Sequence, residues 1–111
     1  MAEHDYYSDN APKIDELLKT LSNSVRREII RYFENHTEGT TASLEELVVH
    51  IESRMPMKTK KSLRVTLYQD HLPTLESRGW LEFDTKSTTI KYQGHDEAAQ
   101  LLKKVQDVFE C

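Results

Sequence analysis

The sequence predicts a small, mainly α-helical domain carrying one β-hairpin, an α+β chain in which short helices precede a two-stranded ribbon. Three observations lead there. In residues 71–81, HLPTLESRGWL, Leu72 and Leu75 repeat at helical spacing, and Gly79 sits where a helix C-terminus needs positive φ. Beyond it, Leu81/Phe83 and Ile90/Tyr92 alternate at period two around a polar Thr85-Lys86-Ser87 turn. Upstream, apolar residues recur at i, i+3 and i+4 in several separate segments. A helix running into a two-stranded ribbon after several short helices is the layout of a winged helix-turn-helix.

Each element has its own local reason. Residues 1–12, MAEHDYYSDNAP, are acidic and read as a flexible tail, without the basic and apolar regions of a signal peptide. Residues 13–95 are expected to form the winged helix-turn-helix unit, and residues 96–111 a separate terminal helix. In residues 13–21, Ile14, Leu17, Leu18 and Leu21 make one apolar stripe. Ser22 or Asn23 can cap the next helix, which runs to about Asn35 with Val25, Ile29, Tyr32 and Phe33 inward. Gly39-Thr40-Thr41 breaks it, and residues 40–42 suit a short strand against the ribbon. Ser43-Leu44-Glu45-Glu46 is a capping box, opening a helix with Leu44, Leu47, Val48 and Ile51 on one face. A loop over residues 54–60 contains Pro56, and a fourth helix runs from Lys60 or Lys61 to Ser77. Pro73 removes a backbone donor, so a kink or break is expected between Asp70 and Pro73. The last helix carries Ala98, Leu101, Leu102, Val105, Val108 and Phe109.

Composition bounds the class. A chain of 111 residues holds one core, and 37% hydrophobic with 31% charged residues suits a well-solvated globule. No apolar run approaches the roughly 20 residues that span a bilayer, so no membrane partner is expected. The one cysteine, Cys111, forms no intramolecular disulfide and suits a reducing cytoplasm. The net charge of −4 opposes nucleic-acid binding, but its distribution does not. Residues 53–69 hold Arg54, Lys58, Lys60, Lys61 and Arg64 and no acid, and a local patch matters more than the sum.

The chain also resembles a known family. LSNSVRREIIRYF (residues 21–33) is similar to the opening helix of ArsR-like winged helices, and SLEELVVHI (residues 43–51) to their first helix-turn-helix helix. LYQDHLPTLESRGWLEFD (residues 67–84) resembles their recognition helix with its His-Leu-x-x-Leu-x-x-x-Gly-Leu ending. Its Leu-Tyr-x-x-His-Leu-Pro-x-Leu form is closer still to small winged-helix regulators of halophilic archaea. The likeness spans residues 21–92. The inter-helix loop, about seven residues, exceeds the usual three or four, and the composition is less acidic than halophile proteins generally show. The resemblance implies a DNA-binding transcriptional regulator, dimeric through its first and last helices.

A helical wheel assigns the contacts. Leu63, Leu67, Tyr68, His71, Leu72 and Leu75 gather on one half of the fourth helix; Lys58, Ser62, Val65, Thr66 and Gln69 fall on the other. Gln69 suits bidentate pairing with adenine, and Val65 or the Thr66 methyl suits thymine methyls. Arg54, Lys58, Lys60, Lys61 and Arg64 suit phosphates, which position without reading sequence. Arg64 lies toward the apolar half of the wheel. Lys86, Ser87 and Thr88 at the hairpin tip suit an adjacent groove or backbone contact. Asp70 repels phosphates; it either reads a cytosine amino group or caps the helix restarting at Pro73.

Other chemistry has less behind it. His4, His36, His50, His71 and His95 are scattered, not paired with carboxylates at ligand spacing, so no metal or other cofactor is expected. His71 reads as a packed helix histidine, and His95-Asp96-Glu97 as an N-cap with first-turn acids. There is no nucleophile elbow and no Gly-rich phosphate loop, so a non-enzyme is expected, with no small-molecule effector identifiable. Two functions result. The first is a homodimeric regulator of double-stranded DNA, its dimer seam built from Ile14, Leu17, Leu18, Leu21, Ala98, Leu101, Leu102, Val105, Val108 and Phe109. The second is a protein–protein interaction module, which an acidic surface and an exposed Trp80 would favour.

Overall fold

In the computed structural model, residues 2–35 and 40–109 are described, with side chains from Pro12 to Val108. Helix α1 (Ala2–Leu21) takes in the acidic segment read from sequence as a tail. Helix α2 (Ser24–Asn35), strand β1 (Thr41–Ser43) and helix α3 (Leu44–Arg54) follow. Helix α4 (Lys60–Thr66) continues through a π-helical turn (Leu67–His71) into helix α5 (Leu72–Ser77). Strands β2 (Leu81–Asp84) and β3 (Thr89–Tyr92) and helix α6 (Asp96–Phe109) complete the chain. The break expected at Gly39 lies outside the described residues.

The α1–α2 corner is held by arginines. Arg26 donates from Nε to the Thr20 carbonyl at 2.8 Å and from a terminal nitrogen to that of Lys19 at 3.1 Å, while Arg27 reaches the Leu21 carbonyl at 2.8 Å. Cations placed on the unsatisfied carbonyls of a helix C-terminus also meet its negative dipole end. Asn23 is the cap of α2, its Oδ1 accepting from the Val25 and Arg26 amides at 2.9 and 3.2 Å. The capping box on α3 forms as read: the Glu46 amide donates to Ser43 Oγ at 3.1 Å, and the Ser43 amide to Glu46 Oε1 at 3.0 Å.

The three strands form one antiparallel sheet in the order β1-β3-β2, with Ala42 opposite Ile90 and Phe83 opposite Ile90 on its other side. Alternation buries Leu81, Phe83, Ile90 and Tyr92 on one face. Against that face lie Val25, Ile29, Ile30 and Phe33 of α2, Leu47, Val48 and Ile51 of α3, and Leu63, Leu67, Leu72 and Leu75 of the long helix. Phe33 and Tyr92 stack with centroids 5.0 Å apart, and the Tyr92 hydroxyl donates to Glu34 at 2.8 Å. Burial and that carboxylate push the Tyr92 hydroxyl well above its usual titration range.

Pro73 does not break its helix. The chain stays helical from α4 to α5, with an i→i+5 bond from the Leu72 amide to the Leu67 carbonyl and Pro73 in the first turn of α5. A widened turn accommodates a proline because that turn already forgoes one ordinary i→i−4 bond. Asp70 makes no cap there: α5 has no side-chain cap bond, and Asp70 Oδ1 instead accepts from the Thr74 hydroxyl at 3.4 Å.

The helix ends on Gly79 at φ +80°, with the Gly79 amide on the Glu76 carbonyl at 3.0 Å and the Trp80 amide on the Leu75 carbonyl at 3.1 Å. That pair of bonds is a Schellman motif. No heavy atom lies within 4 Å of where a Cβ would sit, so Gly79→Ala strains only the backbone. It should destabilise the domain by about 1–2 kcal/mol, the cost of a left-handed non-glycine residue, read as a lower urea midpoint at unchanged slope.

Candidate nucleic-acid interface

Thr59 starts α4 as its N-cap, its hydroxyl accepting from the Ser62 amide at 3.1 Å. The helix then divides largely as its wheel indicates, with Arg64 and Tyr68, placed toward the apolar half, both turned outward. Leu63, Leu67, His71, Leu72 and Leu75 are buried, while Lys58, Lys60, Lys61, Ser62, Arg64, Val65, Thr66 and Gln69 are exposed. Tyr68, assigned to the inner half, is 42% exposed and sets its ring edge-on to Phe83 at 5.6 Å. Val65 keeps 48% of its surface in water, an apolar side chain in the middle of a polar face. The Thr66 hydroxyl donates back to the Ser62 carbonyl at 3.0 Å, which occupies its proton within the helix.

The hairpin tip joins this face through Leu44. Asp84 Oδ1 accepts from the Lys86 and Ser87 amides at 3.0 and 3.4 Å, closing the turn. Those amides and the Ser87 hydroxyl hold the Asp84 carboxyl below its usual range. Thr88 sits at φ 54°, and its carbonyl accepts from the Leu44 amide at 2.9 Å. Leu44 in turn lines a shallow hollow of about 260 Å³ with Arg64, Val65, Tyr68 and Gln69. The turn bearing Lys86, Ser87 and Thr88 and the outer face of α4 thus share Leu44 as a common neighbour.

Charge in this region differs from what the sequence window shows. Arg64 forms a two-pronged pair with Glu45 of α3 at 2.5 and 3.0 Å, and Lys60 lies 3.7 Å from Glu52. Arg54 donates to Glu28 of α2 at 3.1 Å. Three of the five cations in residues 53–69 thus face acids that lie outside the window. Among the described residues, Lys58, Lys61 and Lys86 have no ion-pair partner. Exposed pairs such as Arg64–Glu45 add little net stability, so Arg64 can exchange its carboxylate for a phosphate. Asp70 stays 63% exposed at the end of the face.

Sequence reading missed Glu28, the buried carboxylate beneath this region. It accepts from Arg31 at 2.8 Å as well as Arg54, and lies 3.4 Å from His50 Nε2. A signal existed, since Glu28 stands three residues after Val25 and one before Ile29, on the inward stripe of α2. His71 is buried, as read, with Nδ1 making no hydrogen bond. Burial pushes its pKa down; Asp70 opposes this, and Arg26 and Lys58 add to it. His95 caps α6, its Nδ1 accepting from the Ala98 amide at 3.1 Å. Trp80 is buried, 4% exposed, in the turn between α5 and β2, where His95 packs against it. Among the described residues, no cluster of three or more His, Cys, Asp or Glu is placed to hold a metal, and no helix is long and apolar enough to cross a membrane.

The residues assigned to a dimer seam divide. Leu21, Ala98 and Leu102 are buried within this chain's own core, where α6 lies on α1 and α2, and Leu17 and Leu101 are partly buried against it. Ile14, Leu18, Val105 and Val108 remain exposed, at 46, 52, 39 and 69%. Leu18, Leu101 and Val105 flank an open groove of about 400 Å³ between α1 and α6. The Phe109 side chain lies outside the described residues.

The chain is thus a small, mainly helical domain with a three-stranded antiparallel sheet and an exposed polar helix face. It belongs to the family described as Domain of unknown function (DUF7344), whose model matches residues 18–91. No curated protein and no solved structure matches it. The matched region runs from the end of α1 into β3 and so contains the whole candidate face.

Glu28 yields a test in acid. Burial raises its pKa, but hydrogen bonds from Arg54 and Arg31 and their charges outweigh that and leave it below 4.5. A carboxyl with a lowered folded pKa stabilises above its ordinary value and loses that contribution as pH falls through the folded one. Glu28→Gln should cost about 1–3 kcal/mol near neutrality. The gap from wild type in urea melts should close as pH drops below 4.5; a gap independent of pH would exclude the charge as its source.

Proposed function

We propose that this chain is a winged helix-turn-helix regulator that binds double-stranded DNA sequence-specifically as a homodimer. The observation that carries this reading is the outer face of α4, exposed and set beside the hairpin tip through Leu44. Support also comes from topology. The order helix, strand, two helices, two strands, with β1 beside β3, is the arrangement expected of a winged helix. In this reading α3 and the α4–α5 helix are the helix-turn-helix and β2–β3 the wing, in keeping with the ArsR-like motifs.

The contacts then have separate tasks. Lys58, Lys61 and Lys86 hold phosphates, and Lys60 and Arg64 join them by leaving Glu52 and Glu45. Gln69 reads adenine in the major groove, with Val65 and the Thr66 methyl against thymine methyls. Arg54 is already held by Glu28 and serves to orient α3. Ile14, Leu18 and Val105 supply the two-fold contact, which sets two recognition helices about 34 Å apart on a pseudo-palindromic site.

A second reading, a winged helix that binds a protein partner, is favoured by one observation: acids of α2 and α3 pair with Arg54, Lys60 and Arg64. A salt titration on random duplex DNA separates the two. Wild type should bind at low salt, and Lys58→Ala with Lys61→Ala should reduce the slope of log K against log salt by about 0.9 per lost contact. No binding at low salt would leave only the partner-binding reading. Sedimentation tests the assembly. Leu18→Glu with Val105→Glu should give a folded monomer with weakened specific binding, whereas a wild type that sediments as a monomer would end the dimer proposal.

A further inference from the structure

We propose that the cleft between α1, the α5–β2 junction and the start of α6 is a binding site for a small aromatic carboxylate. The cleft holds about 380 Å³, at the small end of ligand-site volumes (roughly 300–1,000 Å³) and suited to a single-ring acid. The aromatic half of that specificity comes from the floor of the cleft, where His95 offers the more open ring and Trp80, 4% exposed, lies behind it. Trp80 and His95 meet there with centroids 4.7 Å apart and planes at 49°, and Ile14 and Leu17 of α1 face the same space.

Arg78 supplies the anionic half. Its side chain is three-quarters buried, and its Nε is shielded from water with no hydrogen-bond acceptor. One terminal nitrogen reaches Glu16 at 3.0 Å. The Nε is closed to solvent and so to a ligand; the terminal nitrogens, one of them on Glu16, are the fork that a carboxylate can match with two parallel bonds. Glu16 is the competitor for that fork, and its side chain is 54% exposed, so it can withdraw into water. Glu97, 82% exposed, stays at the rim. His95 adds one more donor. Its Nδ1 accepts from the Ala98 amide, so the neutral ring carries its proton on Nε2. Lys13 also lines the cleft, and Glu16 and Glu97 offset the two cations, which favours a monoanion over a phosphate. The site does not depend on DNA binding, and it joins the terminal helices to the residue that opens the hairpin.

Trp80 is the only tryptophan, so its emission reports occupancy of the cleft directly. The full chain is titrated with benzoate and with benzyl alcohol, its uncharged counterpart. Benzoate should give a saturable change in Trp80 emission, with benzyl alcohol weaker by about tenfold, the loss of one charge-assisted contact. Arg78→Gln should weaken benzoate by about the same factor. Glu16→Gln, which removes the competing carboxylate, should instead tighten it several-fold. A merely structural lesion would weaken both variants. A linear, unsaturable benzoate response, equal binding of benzyl alcohol, or weaker benzoate binding by Glu16→Gln would each overturn the proposal.

Discussion

The fold depends on keeping one helix in phase with its core past a proline. Leu63 and Leu67 are four residues apart and share a face, as do Leu72 and Leu75, but five residues separate Leu67 from Leu72. At 3.6 residues per turn that step would rotate Leu72 about 140° away from the core. The π-helical turn over Leu67–His71 removes the mismatch, since an i→i+5 bond closes a turn of that length. All four leucines are consequently buried to 1% exposure or less. The same turn receives Pro73 and seats His71 inward. Without it, either the upper or the lower half of the helix would turn its leucines to water, and the polar face above them would not be continuous.

That polar face is shaped as much by its neighbours as by its own residues. Five cations in seventeen residues look like a phosphate-binding patch when read along the chain. In space, α3 lies beside α4 and brings Glu45 and Glu52 to Arg64 and Lys60, while Glu28 draws Arg54 down to α2. Among the described residues, the cations of this face without an ion-pair partner are Lys58 and Lys61 at the start of the helix and Lys86 on the hairpin turn. The patch is smaller than its count, and its remaining charge sits at the two ends of the face, with Val65, Thr66 and Gln69 between the α4 lysines and Asp70.

The outer helices follow a different logic. Ala98 and Leu102 bind α6 to its own domain, while Ile14, Leu18 and Val105 stay outside it. A single apolar stripe thus does two jobs: its first turns close this chain's core, and its later turns leave a groove against α1. At the other end of α6, Leu17, Arg78 with Trp80, and His95 enclose a cleft whose members come from three separate parts of the chain.

Much of what short-range rules govern was legible in the sequence, although the acidic segment read as a tail belongs to α1. The capping box at Ser43, the left-handed Gly79, the alternating Leu81, Phe83, Ile90 and Tyr92, and the inward stripe of α3 each follow from residues within a few positions of one another. Tertiary structure alone decided what depended on distant partners. Glu28 is buried because arginines on two helices meet it; Arg64 is neutralised by a carboxylate nineteen residues away; Trp80 is covered by His95. Pro73 belongs to the same group, since a break and a π turn satisfy the local rules equally and only the burial of leucines on both sides selects the turn. Local propensities act along the chain and can be read there, whereas charge pairing and burial act through space and exist only once the helices have met.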